Sequence, residues 1–182
     1  MIAAESITPQ STMRAVLEAF PGAQRGLFRK YHIGGCSSCA FSPDETLEQL
    51  CARNGNLNVG EMLGFIRTSH EEDAKILIPA LEVAEMRRLN PELPLLDVRT
   101  REEYEAVKIE GAVLMNQQSM QEILSKWPRE REFVIYDHSG KQGLDAAAYF
   151  LGHGFSNVRC LKGGIDAWAT EVDTNLPRYT LG

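Results

Sequence analysis

Two short stretches of the chain place chemically capable side chains close together. In GGCSSC, residues 34–39, Cys36 and Cys39 are separated by two residues, and the glycines before them favour a turn that can bring the two sulfurs within bonding distance. The reactive form of cysteine is the thiolate, whose pKa falls beside cations and helix N-termini. Arg29, Lys30 and His32 lie just upstream, and a helix-start signal follows closely at Ser42. Cys36 and Cys39 therefore read as a reactive dithiol or disulfide, a redox pair or one that exchanges persulfide. A C-x-x-C is also half of many zinc sites. Neither a second C-x-x-C nor a spaced histidine pair follows, so the competing readings are a mononuclear zinc, or zinc or iron–sulfur shared between chains. The sequence itself assigns no metal and no cofactor.

The second stretch is VIYDHSGKQG, residues 134–143. It begins as an apolar strand and ends in a glycine-bearing loop, a place where backbone N–H groups can ring a reactive group. The loop comprises Asp137, His138, Ser139, Gly140, Lys141, Gln142 and Gly143, and a carboxylate stands at its head. That group is poorly suited to amides meant for a substrate anion. It is well suited to capping the helix expected to start between Gly140 and Gly143, where the helix dipole favours negative charge. Phosphoryl transfer by Asp137 would need a second acid and a metal that nothing nearby supplies. His138, Ser139 and Lys141 could instead hold a partner's thiol or a small anion, although no acid at a diagnostic spacing completes a triad. Cys51 and Cys160 read as small core residues. His32, His70 and His153 show no ligand-like spacing, and Trp127 and Trp168 read as packing anchors.

The elements that must position these groups are of two kinds. Up to about residue 70 the periodicity is helical: Thr12–Phe20, Ala23–Tyr31, a helix capped by Ser42 with Pro43 first and Glu45 completing a capping box, and a helix from Asn58 through Ile66. Arg67–Lys75 reads as a polar connector. Thereafter strands at 76–78, 95–98, 112–115, 133–136 and 158–160 alternate with helices at 80–89, 101–106, 120–126, 143–151 and 165–168, which implies a mostly parallel sheet covered on both faces. The expected organisation is a helical CxxC domain at 1–70 and an α/β domain at 71–182. A net charge of -6 argues against nucleic-acid or anionic-membrane surfaces. No positive n-region opens the chain and no run of about 18 apolar residues occurs, so a soluble, unexported, cytoplasmic protein is expected.

The second half resembles the rhodanese-like family. LLDVRTREEYEAVKIEGAV is similar to its strand–helix pair, with Asp97, Val98 and Arg99 closing the strand, Glu103 and Tyr104 in the helix, and Gly111-Ala112 opening the next strand. GFSNVRCLKGGIDAW is similar to its closing strand and glycine turn at Gly163-Gly164. The resemblance implies a rhodanese fold. It also implies that the loop after the fourth strand begins with the cysteine that carries sulfane sulfur as a persulfide, and the matching position here is Asp137. The sixth loop position, often arginine, is Gln142, and the family's frequent His and Pro before the Gly-Ala turn are Lys108 and Glu110. A carboxylate cannot store sulfur as a persulfide, so the departures argue against sulfur transfer by this loop. The first half resembles a small helical domain, of unknown function, associated with hybrid-cluster proteins or described as a redox-disulfide domain, through Phe20-Pro21, Phe28, Tyr31, Gly35, Cys36, Cys39, Glu45-Thr46-Leu47 and Gly55.

These readings predict a bacterial-type sulfur or redox accessory protein whose rhodanese-like loop is catalytically degenerate and whose exchange chemistry lies at Cys36 and Cys39. Its partner would be a thiol- or persulfide-bearing protein or a small sulfur compound, with no nucleic acid and no membrane. The alternatives are a non-enzymatic partner-binding or regulatory module, and a metal or iron–sulfur accessory protein. The oligomeric state is not encoded in any motif.

Overall fold

The computed structural model describes residues 6–34 and 41–179, and the chain divides into two compact units, Met1–Ala74 and Lys75–Gly182. The first is helical. Its helices are α1 (Met13–Ala19), α2 (Ala23–Tyr31), α3 (Leu47–Arg53) and α4 (Val59–Ile76), whose last two residues enter the second unit. Met13, Val16, Phe20, Leu27, Leu47, Leu50, Met62 and Ile66 close a single core between them. Thr12 caps α1 through its hydroxyl, and α2 ends where His32 turns into the left-handed region, its N–H donating to the carbonyls of Leu27 and Phe28.

Two expectations fail in this unit. Ser42–Glu45 is a turn, not the start of a helix, and Thr46 is the cap of α3, with Gln49 completing the capping box. The reason lies in α1. The first N–H groups of any helix lack partners within it, and here Met13 and Arg14 donate to the carbonyls of Glu45 and Pro43 at 2.8 and 2.9 Å. Those carbonyls are thereby withdrawn from a helix of their own.

The second failure is the connector, since Arg67–Lys75 continues α4 without a break. Its inward stripe runs Met62, Ile66, Ser69, Asp73, so helical spacing persists while the side chains turn polar. Asp73 is only 7% exposed and pairs with Arg25 of α2 at 2.5 Å. Glycines at 22 and 26 leave room for this. A Cβ at Gly26 would stand 3.3 Å from Ser69 Oγ, and one at Gly22 would collide with the Asp73 carboxylate.

The second unit runs β1 (Leu77–Ile78), α5 (Ala80–Leu89), β2 (Leu95–Asp97), α6 (Arg101–Ala106), β3 (Val113–Leu114), α7 (Gln117–Lys126), β4 (Phe133–Tyr136), α8 (Gln142–Gly152), β5 (Val158–Leu161) and α9 (Gly164–Glu171). All strand pairs are parallel, in the order β1-β5-β4-β2-β3. The central strand β4 is buried throughout and serves both faces by its two-residue alternation. Val134 and Tyr136 join Val83, Leu95, Ile109, Ile165 and Trp168 on one side. Phe133 and Ile135 join Leu96, Ile123, Leu144 and Phe150 on the other. Trp168 is thus core, and Trp127 packs edge-on against Phe133 at 5.5 Å. No described helix is long and apolar enough to cross a membrane.

Gly22→Ala should destabilise the chain by about 1–3 kcal/mol, the usual range for overpacking a closed contact. In an Asp73→Ala background most of that cost should vanish, because the colliding oxygen is gone. Urea unfolding of the wild type, both single variants and the double variant measures the coupling.

Candidate functional site

In a parallel sheet the loops that follow the strands gather at one edge, where ligands characteristically bind. Here that edge carries the segment after β4. Asp137 is 2% exposed, and its carboxylate accepts hydrogen bonds from three successive backbone N–H groups: Gly140, Lys141 at 3.1 Å and Gln142 at 2.8 Å. The loop's own amides therefore converge on a side chain of the same loop, at the entrance to α8. Its carbonyls are engaged as well. Ile165 N–H donates to Asp137 O at 2.9 Å and Asp166 N–H to His138 O at 3.3 Å, both from the first turn of α9.

Glycine is required where the two turns meet. Gly140 has φ +86°, and a Cβ there would stand 2.8 Å from the nitrogen of Gly163. Beneath the loop lies the buried Cys160 of β5, whose sulfur would be 3.0 Å from a Cβ at Gly143. The expected core role of Cys160 agrees with its burial. Cys51 is likewise buried, its sulfur 3.5 Å from that of Met62.

His138 is half-buried, and its ring tilts against Tyr179 with centroids 4.6 Å apart. Ser139, Lys141 and Gln142 are exposed on the outer rim. Lys108 lies over the ring of Tyr104 at 4.4 Å, and the carbonyl of Glu110 accepts from Arg87 at 2.7 Å, so both stand in structural contacts. Cys36 and Cys39 lie outside the described residues.

A second polar cluster supports the same edge. Asp97 and Arg99, 0% and 5% exposed, form a forked ion pair, with Nε 2.9 Å from Oδ1 and Nη2 2.5 Å from Oδ2. Arg99 also donates to Val107 O at 2.7 Å and to the Tyr179 hydroxyl at 2.6 Å, and that hydroxyl donates to Glu103 at 2.7 Å. Burial opposes the charge on Arg99, but its bonds to Asp97 and Tyr179 prevail and raise its pKa further. Burial pushes the Tyr136 phenol up beside the same carboxylate. For Glu103 burial acts upward, yet the bonds from Tyr179 and the Thr100 cap, with the nearby charge of Arg99, hold it below the ordinary carboxylate value.

Tyr179 was not legible as part of this site. It comes from the C-terminal segment, where Arg178 also grips Asp166 of α9 through two bonds of 2.7 and 3.0 Å. A separate cavity of about 320 Å³, walled by Leu93, Leu96, Val113, Ile123 and Trp127, opens at the other end of the sheet, beside the segments that lead into β2, β3 and β4.

Residues 80–171 match the family model of the rhodanese-like domain. The chain belongs to the rhodanese-like family. A sulfurtransferase of Allochromatium vinosum is 36% identical over 75 residues, covering 41% of this chain and 70% of that protein. The probable adenylyltransferase/sulfurtransferase MoeZ of Mycobacterium tuberculosis is 36% identical over 89 residues, covering 48% of this chain but only 23% of its own length. The crystal structure of the Alr3790 protein from Anabaena is 29% identical, covers 51% of this chain and 85% of that one, and superposes with a TM-score of 0.45. Within the rhodanese-like family's fold, the segment after β4 is the one that Asp137 heads in this chain.

Asp137→Ala should cost about 1–3 kcal/mol, since it strips the acceptor from three amides that water reaches only in part; denaturant unfolding reads the loss, and Asp137→Asn should recover a portion. A second expectation concerns pH. Because folding depresses the Glu103 pKa, its stabilisation is complete above the unfolded-chain value and fades as pH falls through the lower folded value. An NMR titration should place the Glu103 midpoint below an ordinary glutamate in the wild type and higher in Tyr179→Phe.

Proposed function

We propose that this protein is a sulfur or redox accessory protein in which Cys36 and Cys39 exchange a disulfide or persulfide with a thiol-bearing partner, while the rhodanese-like domain docks partners without carrying sulfur. The observation that carries the second half of this reading is the Asp137 carboxylate, bonded to the N–H groups of Gly140, Lys141 and Gln142. In the family that position belongs to the persulfide sulfur. A carboxylate has no route to a persulfide, and by accepting those amides it leaves them nothing to offer an incoming anion.

Sulfur-related chemistry is supported by the relatives of the rhodanese-like domain, which include sulfurtransferases. The exchange at Cys36 and Cys39 rests on their spacing and on the cations that precede them. In the redox form of that reaction, one thiolate attacks a partner disulfide and the second resolves the mixed disulfide. The chain leaves as a disulfide and the partner as a dithiol, so two electrons pass and no other oxidant is needed. In the persulfide form, a thiolate takes the outer sulfur of a partner persulfide and the partner departs as its thiolate. The partner classes are a thiol- or persulfide-bearing protein or a small sulfur compound.

Two variants test the reading together. Any thiosulfate:cyanide turnover should be lost in Cys36→Ser/Cys39→Ser, and robust turnover that survives the double change would sink the proposal. Asp137→Cys should acquire measurable turnover. Its thiolate would take the sulfane sulfur of thiosulfate, releasing sulfite, and then yield that sulfur to cyanide as thiocyanate, within a ring of amides that is already assembled. A folded but inert Asp137→Cys would mean that more than the nucleophile is missing.

A further inference from the structure

We infer that the C-terminal end of α2, formed by Phe28, Arg29, Lys30 and His32 with Phe65 beside them, is a docking surface for an acidic protein partner of the thiol pair. This deepens the redox reading of Cys36 and Cys39 and rests on it. The inference begins with how the first unit disposes of its positive charge. Arg14 pairs with Asp44 at 3.1 Å, Arg25 with Asp73 and Arg53 with Glu45 at 2.9 Å, and Arg67 donates to the Ile7 carbonyl at 3.2 Å. Arg29 and Lys30 form no ion pair among the described residues, and they stand side by side in the last turn of α2. In a chain of net charge -6 they make an unneutralised basic spot.

The helix dipole accounts for cations at a C-terminus, but not for the aromatic surface around them. Phe28 is 49% exposed, between the buried Leu27 and the two cations, and meets the edge of the His32 ring at 6.4 Å. Lys30 lies over the ring of Phe65 at 4.4 Å and over that of Tyr31 at 5.2 Å, while Tyr31 and Phe65 meet edge to face at 5.8 Å. The cation is thus held in place on an aromatic floor. An exposed aromatic followed directly by two cations suits a partner that presents carboxylates around an apolar side chain, since aromatic and arginine anchors dominate protein contacts and opposite charge accelerates encounter.

The position of this surface along the chain gives it a bearing on the chemistry. His32 precedes Cys36 by four residues, and extended chain spans at most about 3.6 Å per residue, so their Cα atoms lie within about 15 Å in any conformation. On the far side, Phe41 packs on the core that also buries Ile33. A partner seated at the end of α2 therefore lies, at His32, within about 15 Å along the chain of the first cysteine of the pair.

The test uses the whole reduced chain and two synthetic peptides, each with one cysteine activated as a mixed disulfide with thionitrobenzoate. One peptide carries glutamates around a leucine, and the other has lysines in their place. Attack by a chain thiolate forms the chain–peptide disulfide and releases thionitrobenzoate, whose absorbance gives the rate. The acidic peptide should react about tenfold faster at low ionic strength, within the range of electrostatic steering. The advantage should fade at about 0.5 M salt, where screening acts over only a few ångströms. Arg29→Glu/Lys30→Glu, with folding checked by circular dichroism, should reverse the preference; equal rates in the wild type, or an unchanged preference in that variant, overturn the docking surface. If neither peptide reacts, the redox reading fails instead, and docking is then read by NMR titration with the acidic peptide lacking cysteine. Shifts centred on 28–32 and Phe65, lost in the charge-reversed variant, uphold the surface. Shifts elsewhere, or the same shifts produced by thiosulfate alone, overturn it.

Discussion

A buried carboxylate that satisfies three backbone amides organises the edge of the second unit's sheet where the loop after β4 lies. The amides of Lys141 and Gln142, at the cap and first position of α8, belong to the group that no helix can satisfy within itself, and that of Gly140 lies just before them. Asp137 meets those of Gly140, Lys141 and Gln142 from within the same loop, and so ties the loop's path to one side chain. Once the path is set, the carbonyls of Asp137 and His138 point at the first turn of α9, which donates to both. The close approach that follows permits only glycine at 140 and 164, where a Cβ would run into the neighbouring backbone. One acceptor thereby couples the starts of two helices on opposite faces of the sheet.

The neighbouring strand solves a related problem with two charges. Asp97 ends β2 inside the unit, where a lone carboxylate would be costly, and Arg99 returns two residues later to neutralise it with a forked contact. The spare donors of Arg99 go to Val107 O and to Tyr179, so the ion pair also fastens the segment after α6 and the C-terminal segment to the sheet. Both arrangements place full charges at a buried edge, and each is acceptable only because nearly every polar atom finds a partner.

Much of this was legible in the chain itself. The β2 and β4 strands announce themselves as short apolar runs, and α2, α5 and α6 fall where the helical pattern places them. The expected cap by Asp137 takes another form: the N-cap of α8 is Lys141, and the Asp137 carboxylate accepts instead from the N–H groups of Gly140, Lys141 and Gln142 around the helix start. What escaped depends on partners distant in sequence. Ser42-Pro43-Asp44-Glu45 has every local mark of a helix start, yet α1 claims its carbonyls across some thirty residues. Arg67–Lys75 is polar enough to pass for a connector, because nothing local reveals that Asp73 meets Arg25 or that glycines on α2 make room for it. Tyr179 stands in a segment without periodicity, and only the fold brings it to Arg99, Glu103 and His138.

The same physics explains how such a loop can keep its shape while its chemistry changes. A ring of amides recognises negative charge at a point and is indifferent to the atom that bears it. On the proposed reading, the persulfide of an active rhodanese and the carboxylate of Asp137 are alternative occupants of one electrostatic site. The carboxylate is permanent where the persulfide is transient, so the ring passes from stabilising a reaction intermediate to stabilising the fold. Selection for the fold alone then suffices to keep Gly140, Gly143 and the Gly163-Gly164 turn in place. On that reading the scaffold of a sulfur-handling loop outlasts its nucleophile and serves as a surface for the partners of the exchange proposed at Cys36 and Cys39.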